Sequence, residues 1–203
     1  MTRRSSATVN AQMVTSTVAI EQAALEVFQA RGFEETRVED IAAAAGISRR
    51  TFFRYFASKN DILFPDFDDM LQEFEEWLLA LPDDRPMLEV VADGTMRFNR
   101  IHSDGVAAHR ERMKLILHTP ALRANASLQN AKWAGVVSRY AARRLDASPE
   151  ELGPQLVGQI ALGAANAAYE EWLRDESSDL DEVIHRAFEM VLSLPDLDGE
   201  ADR

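Results

Sequence analysis

The sequence predicts an all-α protein of about nine helices, in which a three-helix unit of the helix-turn-helix type precedes a larger helical body. Nearly every segment of the 203 residues places apolar side chains three and four positions apart, which is the spacing of amphipathic helices. The sequence lacks the apolar runs between glycine loops that are typical of a parallel sheet. With 46% hydrophobic residues, the chain can bury one core, or a small domain joined to a larger one.

Charge is divided unevenly along the chain, which limits its classes of partner. The formal net charge is −12, yet residues 1–64 carry eight Lys/Arg and seven Asp/Glu. The other 14 basic and 27 acidic residues give the rest of the chain a charge of −13. An acidic body repels a polyanion, so a nucleic-acid partner requires a basic face at one end; the same acidity also serves solubility. Because the chain has no cysteine, disulfides and thiolate chemistry are excluded.

The first 14 residues are expected to form a flexible arm. Arg3 and Arg4 could contact DNA phosphate or a minor groove, and a disordered terminus without a partner is the alternative. A packing helix is predicted from about Thr15 to Arg31, because its apolar residues form one stripe and Gly32 follows as a helix end.

Two short helices joined by a glycine turn are predicted next. Thr36 and Glu39 have the spacing of a capping box for a helix from about Arg37 to Ala45, after which Gly46 supplies the turn. Ser48 is placed to cap the following helix, from about Arg49 to Phe56. This order of elements is that of a helix-turn-helix, whose later helix enters the major groove of DNA.

The later of these two helices has two different faces. At about 100° per residue, Phe52 and Phe56 share one face while Arg50 and Arg54 share nearly the opposite one. Between Ser48 and Lys59 the sequence has four cationic side chains and no acidic one, inside a strongly acidic chain. That contrast predicts a DNA-binding surface, formed in part by the cations Arg49, Arg50, Arg54 and Lys59.

Residues 15–58 are therefore expected to form a DNA-binding domain, and residues 59–203 a second helical domain. Ser58 and Asp61 resemble another capping pair, and Pro65 is expected to bend or restart the helix that continues to about Leu81. The later helices are expected at about Met87–Ile101, Val106–His118, Ala121–Leu145, Ser148–Asp175 and Leu180–Leu194.

These residues resemble the tetracycline-repressor (TetR) family of transcription regulators over roughly residues 16–63. The family pattern is met by Phe28, Gly32, Phe33, Thr36, Ile41, Ala42, Ala45, Gly46, Ile47, Ser48, Thr51, Tyr55, Phe56, Ser58 and Lys59. There are two departures: Arg50 stands where many members have a small or polar residue, and Phe53 replaces a tyrosine whose hydroxyl reaches phosphate. More narrowly, RRTFFRYFASKNDI and HRERMKLILHTPAL are similar to regulators that accompany mycofactocin gene clusters of actinobacteria.

The resemblance implies a ligand-responsive repressor that binds a double-stranded, palindromic DNA operator. On helix face and family position together, Lys59, Tyr55 and Thr36 are expected to contact phosphate, and Arg50, Arg49 and Thr51 to contact base edges. The full set of expected DNA contacts is Thr36, Arg37, Ser48, Arg49, Arg50, Thr51, Phe53, Arg54, Tyr55 and Lys59.

The resemblance also implies a C-terminal domain for effector binding and dimerisation. The last two helices would form the homodimer interface, although their apolar stripes are equally consistent with an internal core pair. An acyl-coenzyme A effector is expected, with Arg112 and neighbouring cations holding phosphate; the alternative is that these cations pair with nearby acids on a solvated face. The expected effector contacts, each of which could instead be ordinary core, are Phe67, Met70, Phe74, Met96, Met113, Leu117, Trp133, Val137, Tyr140 and Arg112.

Other functions find less support in the sequence. No Walker lysine, nucleotide-cradling glycine loop or nucleophile elbow is present, so no catalytic residues, cofactor or enzymatic activity are expected. The most apolar run is too short to span a bilayer, which favours a cytoplasmic protein without a membrane partner. The histidines lack metal-ligand spacing and are interpreted as surface or helix-end residues: His102, His109, His118 and His185. The rival hypothesis is a helical protein-interaction or lipid-carrier module that does not bind DNA.

Overall fold

The computed structural model describes residues 6–100 and 105–193, and their side chains from residue 17 onward. Within these ranges the regular structure is entirely helical, as the sequence predicts. The helices are α1 (Ser6–Arg31), α2 (Val38–Ala44), α3 (Arg49–Tyr55), α4 (Phe67–Ala80), α5 (Met87–Phe98), α6 (Val106–His118), α7 (Arg123–Leu145), α8 (Leu152–Arg174) and α9 (Leu180–Leu192). Short 3-10 helices precede α4 and α7, at Asp61–Leu63 and Pro120–Leu122.

One compact unit contains α1, α2, α3 and α6. α1 contributes Ile20, Ala24 and Phe28 to its core, and α2 packs on both α1 and α3. α6 also packs on α1, although the sequence assigned everything after residue 58 to the second domain. An ion pair of 3.1 Å between Arg112 of α6 and Glu21 of α1 contributes to this packing. Such a pairing across 91 residues leaves no trace in local sequence patterns.

α1 is longer than predicted. It begins at Ser6, so residues 6–14, assigned to a flexible arm, belong to the helix. Arg3 and Arg4 lie outside the described residues. The helix ends where expected, at Gly32, whose φ of +85° is the left-handed conformation that glycine adopts without steric cost.

The predicted fourth helix is split in two. Ser58 and Asp61 do form the expected cap, since both the backbone amide and the hydroxyl of Ser58 donate to Asp61 Oδ2 at 2.7 and 3.0 Å. Only a single 3-10 turn follows this cap. α4 begins anew after Pro65 and Asp66, whose φ of +50° interrupts the helical backbone.

The second compact unit contains α4, α5, α7, α8 and α9. α8 packs along α9, and α5 packs on both. Two glycines allow close approach of helices. A Cβ at Gly94 of α5 would lie 2.7 Å from the Phe74 ring of α4, and one at Gly158 of α8 would lie 2.6 Å from the Ala134 carbonyl oxygen of α7.

α8 starts at Leu152, four residues after Ser148, where the sequence predicts its start. Ser148 instead opens a turn, in which its amide donates to Glu151 Oε1 at 2.7 Å. Pro154 then occupies the first turn of α8, where its missing N–H would have had no intrahelical partner. At α9 the cap is well formed, because the amide of Glu182 donates to Asp179 Oδ1 at 3.1 Å.

Candidate nucleic-acid interface and effector region

α3 presents a cationic surface because its opposite face is anchored in the core. Phe52 is fully buried and Phe56 nearly so, and their rings lie 5.7 Å apart. Ser48 caps the helix as predicted, accepting a hydrogen bond of 3.0 Å from the amide of Thr51. Arg50 and Arg54 on the opposite face are exposed.

Aromatic side chains hold two of the α3 arginines. The Arg54 guanidinium lies 4.8 Å from the Tyr55 ring centroid and donates to the Tyr55 hydroxyl at 2.8 Å. One turn earlier, the Arg49 guanidinium lies 5.0 Å from the Phe53 ring centroid. Phe53 itself is 43% exposed, so its ring is accessible to a partner.

Glu39, which has the sequence spacing of a capping-box residue, lies at this surface. Glu39 of α2 forms an ion pair with Arg49, with Oε1 2.8 Å from Nε, and both side chains are more than half exposed. Asp40 performs the capping instead, since its Oδ2 accepts from the Arg37 amide at 2.9 Å. That hydrogen bond, together with the guanidinium of Arg31, lowers the pKa of Asp40. The predicted capping pair, Thr36 and Glu39, is thus one residue too early in the chain.

Thr36 and Lys59, expected at phosphate, are engaged within the protein. The Thr36 side chain is buried, and its hydroxyl donates to the Gly32 carbonyl at 2.7 Å. Lys59 Nζ donates to the carbonyls of Phe33, Glu34 and Thr36 at 2.6, 3.2 and 2.8 Å. Three bonds use all the donors of an ammonium group. Both side chains therefore hold the turn between α1 and α2.

Three of the expected effector residues of the second unit, Phe67, Phe74 and Trp133, form an aromatic cluster with Phe98. Phe67 and Phe74 each contact Phe98, with ring centroids 5.7 and 5.5 Å apart. Phe74 also stacks on Trp133 at 5.7 Å. Val137 and Tyr140 are fully buried nearby along α7, Met96 is partly buried and Met70 is 39% exposed. The cluster joins α4, α5 and α7 around a large apolar surface.

The other expected effector residues, Arg112, Met113 and Leu117, belong to α6 in the first unit. Two cations of α6 pair with acids: Arg112 with Glu21 at 3.1 Å, and Lys114 with Glu111 at 2.9 Å. The pairing with acids is the one that the alternative interpretation expects, but the Arg112 and Glu21 side chains are only 21% and 12% exposed and do not lie on a solvated face. His109, interpreted as a surface or helix-end residue, is largely buried, and burial together with the positive charge of Arg112 lowers its pKa to about 4.

A ladder of polar contacts joins α4 to α7. Lys132 donates to Asp68 at 2.7 Å, Arg139 Nη2 to Glu75 at 2.8 Å, and Arg143 to the Leu79 carbonyl at 2.8 Å. Each pair is separated by 64 residues, so the two helices run in the same direction and in fixed register. α7 also carries Trp133 of the aromatic cluster, so the ladder couples that cluster to the whole length of α4.

Among the described residues, no helix is long and apolar enough to cross a membrane. Within the same ranges, no three His, Cys, Asp or Glu residues gather in a way that could hold a metal ion.

Comparisons with known proteins match both halves of the chain. The family described as bacterial regulatory proteins, tetR family, matches residues 20–64, and the MftR C-terminal domain matches residues 85–194. The putative mycofactocin biosynthesis transcriptional regulator MftR of Mycobacterium tuberculosis is 40% identical over 172 residues, which are 85% of this chain and 87% of the relative. TcmR of Streptomyces glaucescens, an HTH-type transcriptional regulator, is 28% identical over 83% of this chain and 77% of its own.

Solved structures share the fold at lower identity. FadR of Thermus thermophilus, a TetR-family repressor in complex with lauroyl-CoA, has a TM-score of 0.54 and 22% identity, covering 87% of this chain and 93% of its own. FadR of Bacillus subtilis, in complex with stearoyl-CoA, has a TM-score of 0.59 and 20% identity, covering 87% of this chain and 97% of its own.

Proposed function

This chain belongs to the TetR family of transcriptional regulators, in the group with the MftR C-terminal domain, and from that premise we propose a homodimeric repressor that leaves a palindromic operator when an acyl-type effector binds. The family is one of DNA-binding regulators, so neither an enzyme nor a helical module without DNA binding is retained. The observation that carries the proposal is the α3 surface, where Arg50 and Arg54 are exposed above a buried Phe52.

DNA binding is tested with the DNA upstream of the protein's own gene. We expect a gel shift at this fragment that survives an excess of random duplex, and a footprint of two half-sites about one helical turn, roughly 34–36 Å, apart. Binding of the upstream and random fragments with equal affinity would contradict a sequence-specific operator.

We place the dimer contact on the exposed faces of α8 and α9. Leu152 and Leu156 of α8 are 81% and 52% exposed, and Met190 of α9 is 52% exposed. Exposed Gly163 and Ala167 continue the α8 face and would admit a second helix closely. Other apolar residues of the pair already have partners: Ala164 and Phe188 are buried in their own chain, so they belong to the internal core.

A charged substitution on the exposed face of α8 distinguishes the proposed dimer contact from the internal core. Leu156→Asp would bury an unpaired carboxylate in the proposed seam and should give folded monomers in sedimentation. Leu128 of α7 is 58% exposed and lies outside the seam, so Leu128→Asp is the matched control and should stay dimeric. Phe188→Asp should unfold the chain instead, because Phe188 is 1% exposed. If Leu156→Asp sediments as wild type, the dimer contact lies elsewhere.

An acyl-type effector is supported by the aromatic cluster around Phe74 and Trp133, and by the acyl-CoA complexes of the two FadR proteins. A long apolar chain is what such a cluster could enclose after its rings rearrange. Effector binding that changes α7 would move α4 through the ladder, and the two α3 helices of the dimer would lose the spacing of the operator.

The effector is tested by titrating the operator complex with acyl-CoA species of increasing chain length. Release should strengthen with chain length and weaken in Arg112→Ala. The matched control is Glu21→Gln, which breaks the same ion pair but keeps the cation. If Arg112 binds the phosphate of the effector, Glu21→Gln should be released from the operator as easily as wild type or more easily. If release is weakened equally in Glu21→Gln and Arg112→Ala, the ion pair has only a structural role. No release at any chain length would exclude the acyl-type effector.

A further inference from the structure

Glu39, Arg49 and Phe53 form a continuous cluster on the surface that faces DNA in the proposed function. Arg49 and Phe53 are four residues apart on α3, so their side chains lie on the same side of the helix. The guanidinium carbon of Arg49 lies 5.0 Å from the centroid of the Phe53 ring, and Glu39 of α2 forms an ion pair with Arg49, with Oε1 2.8 Å from Nε. One arginine is thus held from two directions.

The contact with Glu39 leaves part of the guanidinium available. Arginine has five N–H donors in a planar fork, and Nε supplies one of them. Because Glu39 approaches the guanidinium at Nε, the four N–H groups of the two terminal nitrogens of Arg49 remain for a base. Guanine offers two acceptors, O6 and N7, in the major groove, and a bidentate arginine contact there is the commonest specific contact to a base.

The ring of Phe53 offers a different type of contact. It has no hydrogen-bonding group, yet it is 43% exposed beside Arg49. In the major groove the apolar feature of a base edge is the C5-methyl of thymine. Successive bases on one strand are about 3.4 Å apart. The 5.0 Å between the two side-chain groups is therefore short enough for them to meet neighbouring bases.

We infer that Glu39, Arg49 and Phe53 act as one reading unit, in which Arg49 binds a guanine, Phe53 contacts the methyl of an adjacent thymine, and Glu39 positions Arg49. The inference rests on the proposed operator binding and adds the bases that each half-site must contain. Glu39 also places a negative charge near the phosphates, which lowers affinity for random DNA. The positioning of Arg49 by Glu39 explains why an acidic residue lies on a surface that binds a polyanion.

The thymine contact is tested on sites that the wild-type protein enriches from a random-sequence duplex library. Replacing the thymine next to the guanine by deoxyuridine removes only the methyl group. We expect wild-type affinity to fall about fourfold per half-site, as for the loss of one buried methyl. Phe53→Ala should bind the two duplexes equally, and Phe53→Leu, which keeps an apolar side chain, should still prefer thymine. An equal thymine preference in wild type and Phe53→Ala would overturn the role of Phe53.

The positioning role is tested with duplexes that contain 7-deazaguanine, which lacks the N7 acceptor. Wild type should discriminate against this base, and Glu39→Gln should lose most of that discrimination while binding random DNA more tightly. Glu26→Gln removes the same charge from an exposed position of α1 and is the matched control, with discrimination intact. Both acids are exposed, so neither change should unfold the protein.

Two outcomes separate this inference from the proposed function. Enriched sites without adjacent thymine and guanine, or unchanged discrimination in Glu39→Gln, would overturn the reading unit while operator binding stands. If wild type enriches no sequence at all, sequence-specific binding itself is overturned, and the reading unit with it.

Discussion

Replacing Lys59 by methionine distinguishes a structural cation from a DNA-binding one. Methionine keeps an unbranched apolar stem and removes the ammonium group, whose three donors bind the carbonyls of Phe33, Glu34 and Thr36. The ammonium also lies 4.4 Å from the Phe33 ring centroid. Burial lowers the pKa of Lys59, as expected for a cation that is partly withdrawn from water.

The cost of Lys59→Met follows from these contacts. The hydrogen bonds to Phe33 and Thr36 are partly buried, and each should be worth about 1 kcal/mol after exchange with water, whereas water replaces the exposed bond to Glu34. The cation–π contact adds about 0.5–1 kcal/mol. The variant should therefore lose roughly 3 kcal/mol of unfolding free energy, which lowers the Tm of a protein of this size by about 6–12 °C.

Thermal unfolding by circular dichroism and salt titrations of DNA binding measure the two roles separately. A structural Lys59 predicts the loss of Tm and, below the melting transition, an unchanged slope of log affinity against log salt. A phosphate contact predicts the opposite, namely an unchanged Tm and a slope smaller by about one unit for each lost contact. That second result would refute the structural interpretation.

Three further predictions concern separate parts of the molecule. Burial lowers the pKa of His109 from its usual 6.5 to about 4 in the folded protein, so between these pH values the unfolded chain binds more protons. In urea titrations from pH 7 to pH 4, the unfolding free energy of wild type should therefore fall by about 2–3 kcal/mol relative to that of His109→Asn. Gly158→Ala should cost about 1–3 kcal/mol, because its Cβ would press on Ala134. Gly135→Ala, whose Cβ meets only Arg139 at 3.5 Å, should not destabilise. Arg50→Ala should cost about 1–3 kcal/mol on the operator and relax one base position, and equal losses on random DNA would contradict a base contact.

The parts of the fold that local sequence determines were predicted well. α6 has the predicted bounds, Val106–His118, and Ser48 caps α3, because helix periodicity and caps depend on neighbours within four residues. Errors of a few residues arose where two local choices compete. The Thr36 hydroxyl could cap α2 or bind the end of α1, and it does the latter by donating to the Gly32 carbonyl. Nothing within the α2 segment distinguishes these choices.

The partners of the site residues could not be predicted in the same way. Lys59 meets carbonyls 23 to 26 residues away, and Glu39 meets Arg49 from a different helix. Such contacts depend on how helices pack, which periodicity does not specify. An acid such as Glu39, ten residues before Arg49, can either cap its own helix or pair with the next helix, and the sequence does not distinguish the two.

These long-range contacts change how the charge of the α3 surface acts. In sequence the four cations Arg49, Arg50, Arg54 and Lys59 are equivalent, whereas in the structure Lys59 is bound to carbonyls and the charge of Arg49 is balanced by Glu39. Arg50 and Arg54 have no carboxylate partner in the part of the chain that the structure describes, so they are left to neutralise phosphate or read bases. Counterion release scales with the phosphates neutralised, so we expect this surface to neutralise fewer than four phosphates per protomer. Non-specific attraction is correspondingly weaker, and discrimination between sites rests more on the directed contacts of Arg49, Arg50 and Phe53.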